Sequence, residues 1–210
     1  MDTLSLSSSD IDLQRASNLI SDGQIIAFPT ETVFGFGISL DCSSYHKLYE
    51  LKGRPKQKAL TLHLSDIDLV FQFVENVDDR FFSLANSFLP GPLTLIMKAN
   101  ISMTLPFITD GTIGIRIPSN PIAKKFIEFC GKAILATSAN LSGESPCISS
   151  NEVKTIFNGK VSAIIKEEMQ NDCGIPSTVI SLVDELKILR EGTVSIKEIL
   201  KVLKNQKMRV

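Results

Sequence analysis

The chain has no tryptophan, two tyrosines and two histidines in 210 residues. Proteins that read unpaired nucleic acid by stacking need aromatic platforms, and few are available here. Charge of one sign is also missing. The net charge is −1, so any anion site must come from local clustering. Cys42, Cys130, Cys147 and Cys173 form no C-x-x-C pair, and with so few histidines they argue against a zinc site. They read as small core or surface residues. No stretch approaches the roughly 20 apolar residues of a membrane helix. The first thirty residues lack a basic segment followed by an apolar run, which argues against a signal peptide. These absences predict a soluble, cytoplasmic protein with no membrane contact.

Chemical signatures are missing too. There is no G-x-x-x-x-G-K-[ST] loop and no G-x-G-x-x-G fingerprint after a strand. No serine or cysteine sits in a nucleophile elbow. No acidic cluster offers a metal cage, so no metal-ligating residue is assigned.

What is present is a 43% apolar chain, enough for one sizeable core. Helical and strand patterns alternate, which predicts an α/β fold with a twisted mixed sheet flanked by helices. The absence of a linker or repeat predicts one domain over 1–210, with a core of about 8–203 and a basic tail at 204–210. Apolar runs predict strands at 24–28, 60–64, 94–99, 112–118, 133–137, 161–165, 177–183 and 187–190. Helices are predicted near 10–22, 44–51, 66–74, 78–88, 120–130, 150–157 and 195–203. Thr30–Gly37, with Gly35 and Gly37, reads as an irregular loop.

Four polar segments abut apolar strands, where open α/β sheets collect ligands. Pro29–Gly37 offers hydroxyls and close backbone approach, or else a plain turn with a surface Glu31. Lys52, Arg54, Lys56 and Lys58 place four cations within seven residues. That density suits a polyphosphate, with a solvated surface loop as the alternative, and for Lys56 the solvated reading is taken. Thr112, Gly114 and Arg116 share a strand face, where Arg116 either clamps a carboxylate or makes an edge-strand salt bridge. Ser138–Gly143 presents small hydroxyls and an amide, or an ordinary turn. Cations, hydroxyls and an amide position anions and neutralise charge; they do not form an obvious covalent apparatus. A large anion-binding cleft is the expected site.

Taken together, the segments carry a resemblance. Pro-Thr-Glu-Thr-Val-Phe-Gly at 29–35, Lys-Gly-Arg-Pro at 52–55, Pro-Gly-Pro-Leu-Thr at 90–94, Ile-Arg-Ile-Pro at 115–118, Ser-Ala-Asn-Leu-Ser-Gly at 138–143 and Pro-Ser-Thr-Val-Ile at 176–180 stand in family order. The chain resembles the YrdC/Sua5 family of threonylcarbamoyl-AMP synthases in its single-domain form. The resemblance implies adenylation of N-carboxythreonine, made from L-threonine and bicarbonate or CO2, with ATP consumed and pyrophosphate released. It also implies a partner threonylcarbamoyl-transferase complex that modifies adenosine 37 of tRNAs reading ANN codons.

By the same resemblance, Lys52, Arg54, Ser138 and Asn140 match the family's catalytic Lys-x-Arg…Ser-x-Asn set. Arg54, Lys58, Thr112, Ser138 and Arg190 match ATP contacts. Thr32, His63, Arg116, Ala136 through its backbone, and Ser177 match L-threonine contacts. For His63 a half-exposed strand histidine is the alternative. Mg²⁺ is expected to arrive with ATP, held by phosphates and water. The sequence departs from the family pattern at Phe34, where many members have Tyr. It departs again at Lys58-Ala59-Leu60, in place of Asn-Pro-Leu, and at Glu144-Ser145-Pro146. A non-catalytic RNA-binding module, with weak or incidental tRNA binding, is the second reading. A carbamoyl-adenylate-forming enzyme is the third.

Overall fold

The computed structural model describes residues 2–40, 44–55, 59–100, 102, 107–108, 110–167 and 173–207, with side chains described as far as residue 204. The strands are β1 (Leu4–Leu6), β2 (Ile26–Phe28), β3 (Gly35–Ile38), β4 (Thr61–Leu64), β5 (Leu93–Lys98), β6 (Thr112–Arg116), β7 (Ala133–Ser138), β8 (Ala163–Ile165), β9 (Thr178–Ser181) and β10 (Lys187–Arg190). The helices are α1 (Asp10–Ser21), α2 (His46–Lys52), α3 (Val70–Phe73), α4 (Asp79–Phe88), α5 (Pro121–Phe129), α6 (Ser150–Phe157) and α7 (Ile196–Lys207).

The strands form one mixed sheet in the order β1-β8-β2-β3-β7-β4-β6-β5-β9-β10. Side-chain alternation sorts its faces. On one face, Phe36, Leu62, Leu64, Leu93, Leu95, Ile113, Ile115, Leu135 and Ile180 join the larger core. On the other, Ile26, Phe28, Ile134, Ala136, Ala163 and Ile165 pack against Leu13, Ala16 and Ile20 of α1 and against Ile122, Phe126 and Ile127 of α5. This second core spans the half of the sheet from β1, through Leu6, to β7. Beyond it, the same face of β4, β6, β5 and β9 carries Thr61, His63, Arg116, Thr94, Ile96 and Val179, which line a cavity.

Several sequence expectations change. Gly35 and Gly37 lie in a regular strand, not an irregular loop. A Cβ on Gly35 would stand 3.0 Å from the Phe28 ring, and one on Gly37 would stand 3.0 Å from Ile134. The glycines therefore make room for side chains from neighbouring strands. β1 precedes the expected start of the core at residue 8, because its edge pairs in parallel with β8. The expected tail is helical as far as Lys207. The 66–74 helix is a 3₁₀ turn over Ile67–Leu69 followed by a single α turn. The connection between the expected strands at 94–99 and 112–118 lies partly outside the described residues. No helix among the described residues is long and apolar enough to cross a membrane.

Candidate active site

The cleft is built on strand register. His63 pairs with Arg116, Arg116 with Thr94, Thr94 with Val179 and Val179 with Arg190. Five strands thus put His63, Arg116, Thr94, Val179 and Arg190 in one row across the sheet. The cavity holds about 220 Å³ and is walled by Thr30, Val33, Phe34, Arg54, Ser138 and Ser177. Phe34 is fully buried there, so the departure from Tyr leaves an apolar wall.

Arg116 lies in an interior strand, which excludes the edge-strand alternative. It is 6% exposed. Its Nη2 donates to Thr32 Oγ1 at 2.7 Å, to Glu31 Oε1 at 2.9 Å and to Thr30 Oγ1 at 3.4 Å. Its buried Nε has no hydrogen-bond partner. Arg116 lines the cavity, and a guanidinium that keeps an unsatisfied donor is suited to a carboxylate.

His63 is buried, not half-exposed. Burial, reinforced by the nearby Arg116 charge, lowers its pKa to about 3. The imidazole is therefore neutral at physiological pH. Its Nδ1 lies 3.4 Å from the Thr61 carbonyl, and donation from Nδ1 leaves Nε2 as an acceptor. The pKa shift has a consequence for stability. Below about pH 6.5 the unfolded chain takes up a proton here that the folded chain refuses. Stability from this group is full above pH 6.5 and is lost down to about pH 3, by up to about 1.4 kcal/mol per pH unit. Urea titrations of His63→Gln across that window should show a shallower acid limb than the parent; an unchanged limb would contradict it.

At the far end, Arg190 donates to the Ser177 carbonyl from Nε at 3.1 Å and from Nη2 at 2.8 Å. Ser177 Oγ is 2.9 Å from Thr94 Oγ1. Arg54 Nη2 donates to the Ala59 carbonyl at 2.9 Å. Burial lowers the pKa of both arginines, and the charges of Arg116 and Arg54 add to the effect at Arg190. Three guanidinium groups thus share one cleft, and the charges of the other two bear on Arg190.

Lys52 does not face the cavity. It ends α2, where Gly53 adopts the left-handed conformation with φ 57° and turns the chain into the basic loop. Lys52 is 2% exposed. Its ammonium donates to the Ser138 carbonyl, and at 2.8 Å to both the carbonyl and Oδ1 of Asn140. Asn140 Oδ1 also accepts from Ser138 Oγ at 2.7 Å. Lys52 therefore fastens the turn after β7, and that turn presents Ser138 to the cavity.

The other sequence-derived candidates separate. Arg54, His63, Arg116, Ser138, Ser177 and Arg190 line one cavity. Thr32 is fully buried against Arg116. Ala136 is buried in β7, where it pairs with Gly37 and Thr61. Thr112 lines a neighbouring cavity with Lys98 and Gly111. Lys58 lies outside the described residues. Thr94 and Glu31 were not singled out from sequence as ligand-binding residues. Cys130 and Cys147 are pushed up to about 12 and about 11 by burial, so neither is a thiolate nucleophile at neutral pH.

Fold and cleft define an α/β protein with an arginine-lined cleft on the uncovered half of a mixed sheet. The family model described as "Telomere recombination", for Sua5, YciO and YrdC, matches residues 18–192. Threonylcarbamoyl-AMP synthase of Pyrococcus abyssi is 35% identical over 193 residues, 90% of this chain and 56% of that protein. The Bacillus subtilis protein of the same name is 33% identical over 198 residues, 92% of this chain and 57% of that protein. The structure of P. abyssi Sua5 complexed with L-threonine superposes with a TM-score of 0.89 at 31% identity, over 97% of this chain and 61% of that one. E. coli YciO superposes with a TM-score of 0.84 at 24% identity, over 95% of this chain and all of that one. The chain belongs to the Sua5/YciO/YrdC family. It spans little more than half the length of the two synthases it matches.

Proposed function

We propose that this chain makes L-threonylcarbamoyl-adenylate from L-threonine, bicarbonate or CO2, and ATP, releasing pyrophosphate. The observation that carries the reading is the row from His63 to Arg190. It sets Arg116, with its unsatisfied donor, in one row with Arg190, and Arg54 joins them in the lining of the same cavity. An amino-acid carboxylate and a polyphosphate are the two anions that fit.

In this reading Arg116 binds the threonine carboxylate. Thr32, the Ala136 backbone and Ser177 complete the threonine site, and His63 offers it a neutral acceptor. Arg54 and Arg190 neutralise ATP phosphates, with Ser138 and Lys58 as further nucleotide contacts; Thr112, which lines a separate cavity, is left out of this set. Lys52 and Asn140 hold Ser138 in place. Adenylation then needs the N-carboxylate held in line with the α-phosphate while charge is neutralised, which this set supplies without a covalent intermediate. Among the described residues no three His, Cys, Asp or Glu side chains group to hold a metal. In this reading Mg²⁺ enters with ATP as part of the substrate, held by phosphates and water. The product is a substrate for a transferase complex that acts on tRNA in the cytoplasm.

The test is incubation of the chain with ATP, labelled bicarbonate and threonine. Pyrophosphate release that requires threonine, together with a labelled adenylate, is the expected result. Folded protein that releases none rejects the reading.

A further inference from the structure

We infer that Glu31 is a positioning residue that fixes the Arg116 guanidinium for a substrate carboxylate and keeps that end of the cleft from competing for polyphosphate. This deepens the threonine reading above and rests on it.

The geometry carries the first part. Glu31 Oε1 accepts from Arg116 Nη2 at 2.9 Å. Its Oε2 accepts from the backbone N–H of Ser119 at 3.1 Å and of Asn120 at 3.4 Å. One carboxylate thus ties together the loop after β2, the end of β6 and the start of α5. The pair is mostly buried, with side-chain exposures of 8% for Arg116 and 17% for Glu31. Thr30 and Thr32 accept from the same Nη2. With Nη2 held by three acceptors, the plane of the guanidinium is fixed, and so is the direction of its unpartnered Nε–H. Both Glu31 oxygens are engaged, and their charge would repel a substrate carboxylate. Glu31 therefore acts through Arg116.

Charge carries the second part. Arg54, Arg116 and Arg190 line the same cavity. Glu31 neutralises Arg116, so that end presents directed donors with little net charge. Such an end binds one carboxylate by geometry. A polyanion responds to net charge, and that lies with Arg54 and Arg190. Glu31 also offsets the desolvation of a buried cation, which otherwise extends toward water.

Glu31→Gln tests this. Whichever way the amide turns, its NH2 cannot accept, so either the Arg116 contact or the α5 contact is lost. Calorimetric titrations of the whole chain with threonine, and separately with ATP, should show threonine weakened at least about tenfold and ATP tightened at least about twofold, because the freed Arg116 charge then draws polyphosphate; an unchanged ATP affinity would overturn the second part. Equal weakening of both would mark a merely structural role and overturn the inference, as would unchanged threonine affinity. If the parent chain binds no threonine, the reading of the cleft fails. A ligand-free measurement judges Glu31 separately. The Arg116 Nε–H resonance in ¹⁵N spectra should exchange faster with water in Glu31→Gln than in the parent, and equal exchange overturns the inference. If Glu31→Gln does not fold, Glu31→Asp carries the same comparisons with the charge kept and the reach one methylene shorter.

Discussion

Arg116→Ala is expected to abolish threonine binding and to destabilise the fold by about 3–5 kcal/mol, the usual result of removing one partner from a buried ion pair. Glu31 would be left in a mostly buried position, with one oxygen facing no cation. The two losses have different causes, and a second variant separates them. Arg116→Met combined with Glu31→Gln removes both charges. Its stability should recover most of the loss, because a neutral pair carries no unpaired charge. Its threonine binding should stay absent, because the fork that receives the carboxylate is gone. Urea midpoints and calorimetric titration of the three proteins decide the matter. Threonine binding by the double variant would remove Arg116 from the site. An Arg116→Ala protein as stable as the parent would show that the Arg116–Glu31 pair is not a structural link.

The second large effect is expected at Lys52, where stability and activity should move in opposite directions with pH. Burial is the main cause that pulls its pKa down to about 7, with the Arg54 charge acting in the same direction. The unfolded chain keeps a lysine near 10.5. Between these values the unfolded state binds a proton that the folded state has released, so stability rises with pH from about 7 toward 10.5, by up to about 1.4 kcal/mol per unit. Below pH 7 both states are protonated and the slope from this group vanishes. Yet the ammonium uses three protons to hold the Ser138 carbonyl and two Asn140 oxygens. Loss of a proton frees one of these acceptors and loosens the turn that presents Ser138. Activity should therefore fall as pH rises above about 7 while the urea midpoint climbs. Lys52→Met should lose about 100-fold in kcat/KM through misplacement of the turn, and should lose the alkaline stability slope. A variant with the parent's slope would assign that slope to another group, and one with parental activity would reject the fastening role.

The sequence made some elements plain because their signals are local. The helix at 150–157 and the strand at 187–190 fall where the patterns put them, and β9 and β10, close in the chain, pair antiparallel. Gly35 and Gly37 misled because the reason for them lies in Phe28 and Ile134 on adjacent strands. The row from His63 to Arg190 depends on registers between strands distant in the chain, which no local pattern encodes. Glu31 stood inside a visible motif, but its cation is 85 residues away. Lys52 read as a cation facing a ligand because its neighbours Arg54, Lys56 and Lys58 are basic. Its burial follows from its place as the last residue of α2, beneath the 138–140 turn.

The outermost strand has a consequence for how the cleft loosens. β10 pairs with β9 alone, all four of its residues are exposed, and it carries Arg190. The strand bearing Arg116, by contrast, is flanked by β4 and β5 and buried over most of its length. Sheets fray from their margins, where amide exchange is fastest and local opening needs the least free energy. The cleft thus has a firm end and a soft end. Partial opening of the margin would release the guanidinium assigned to phosphate and leave the carboxylate clamp in place.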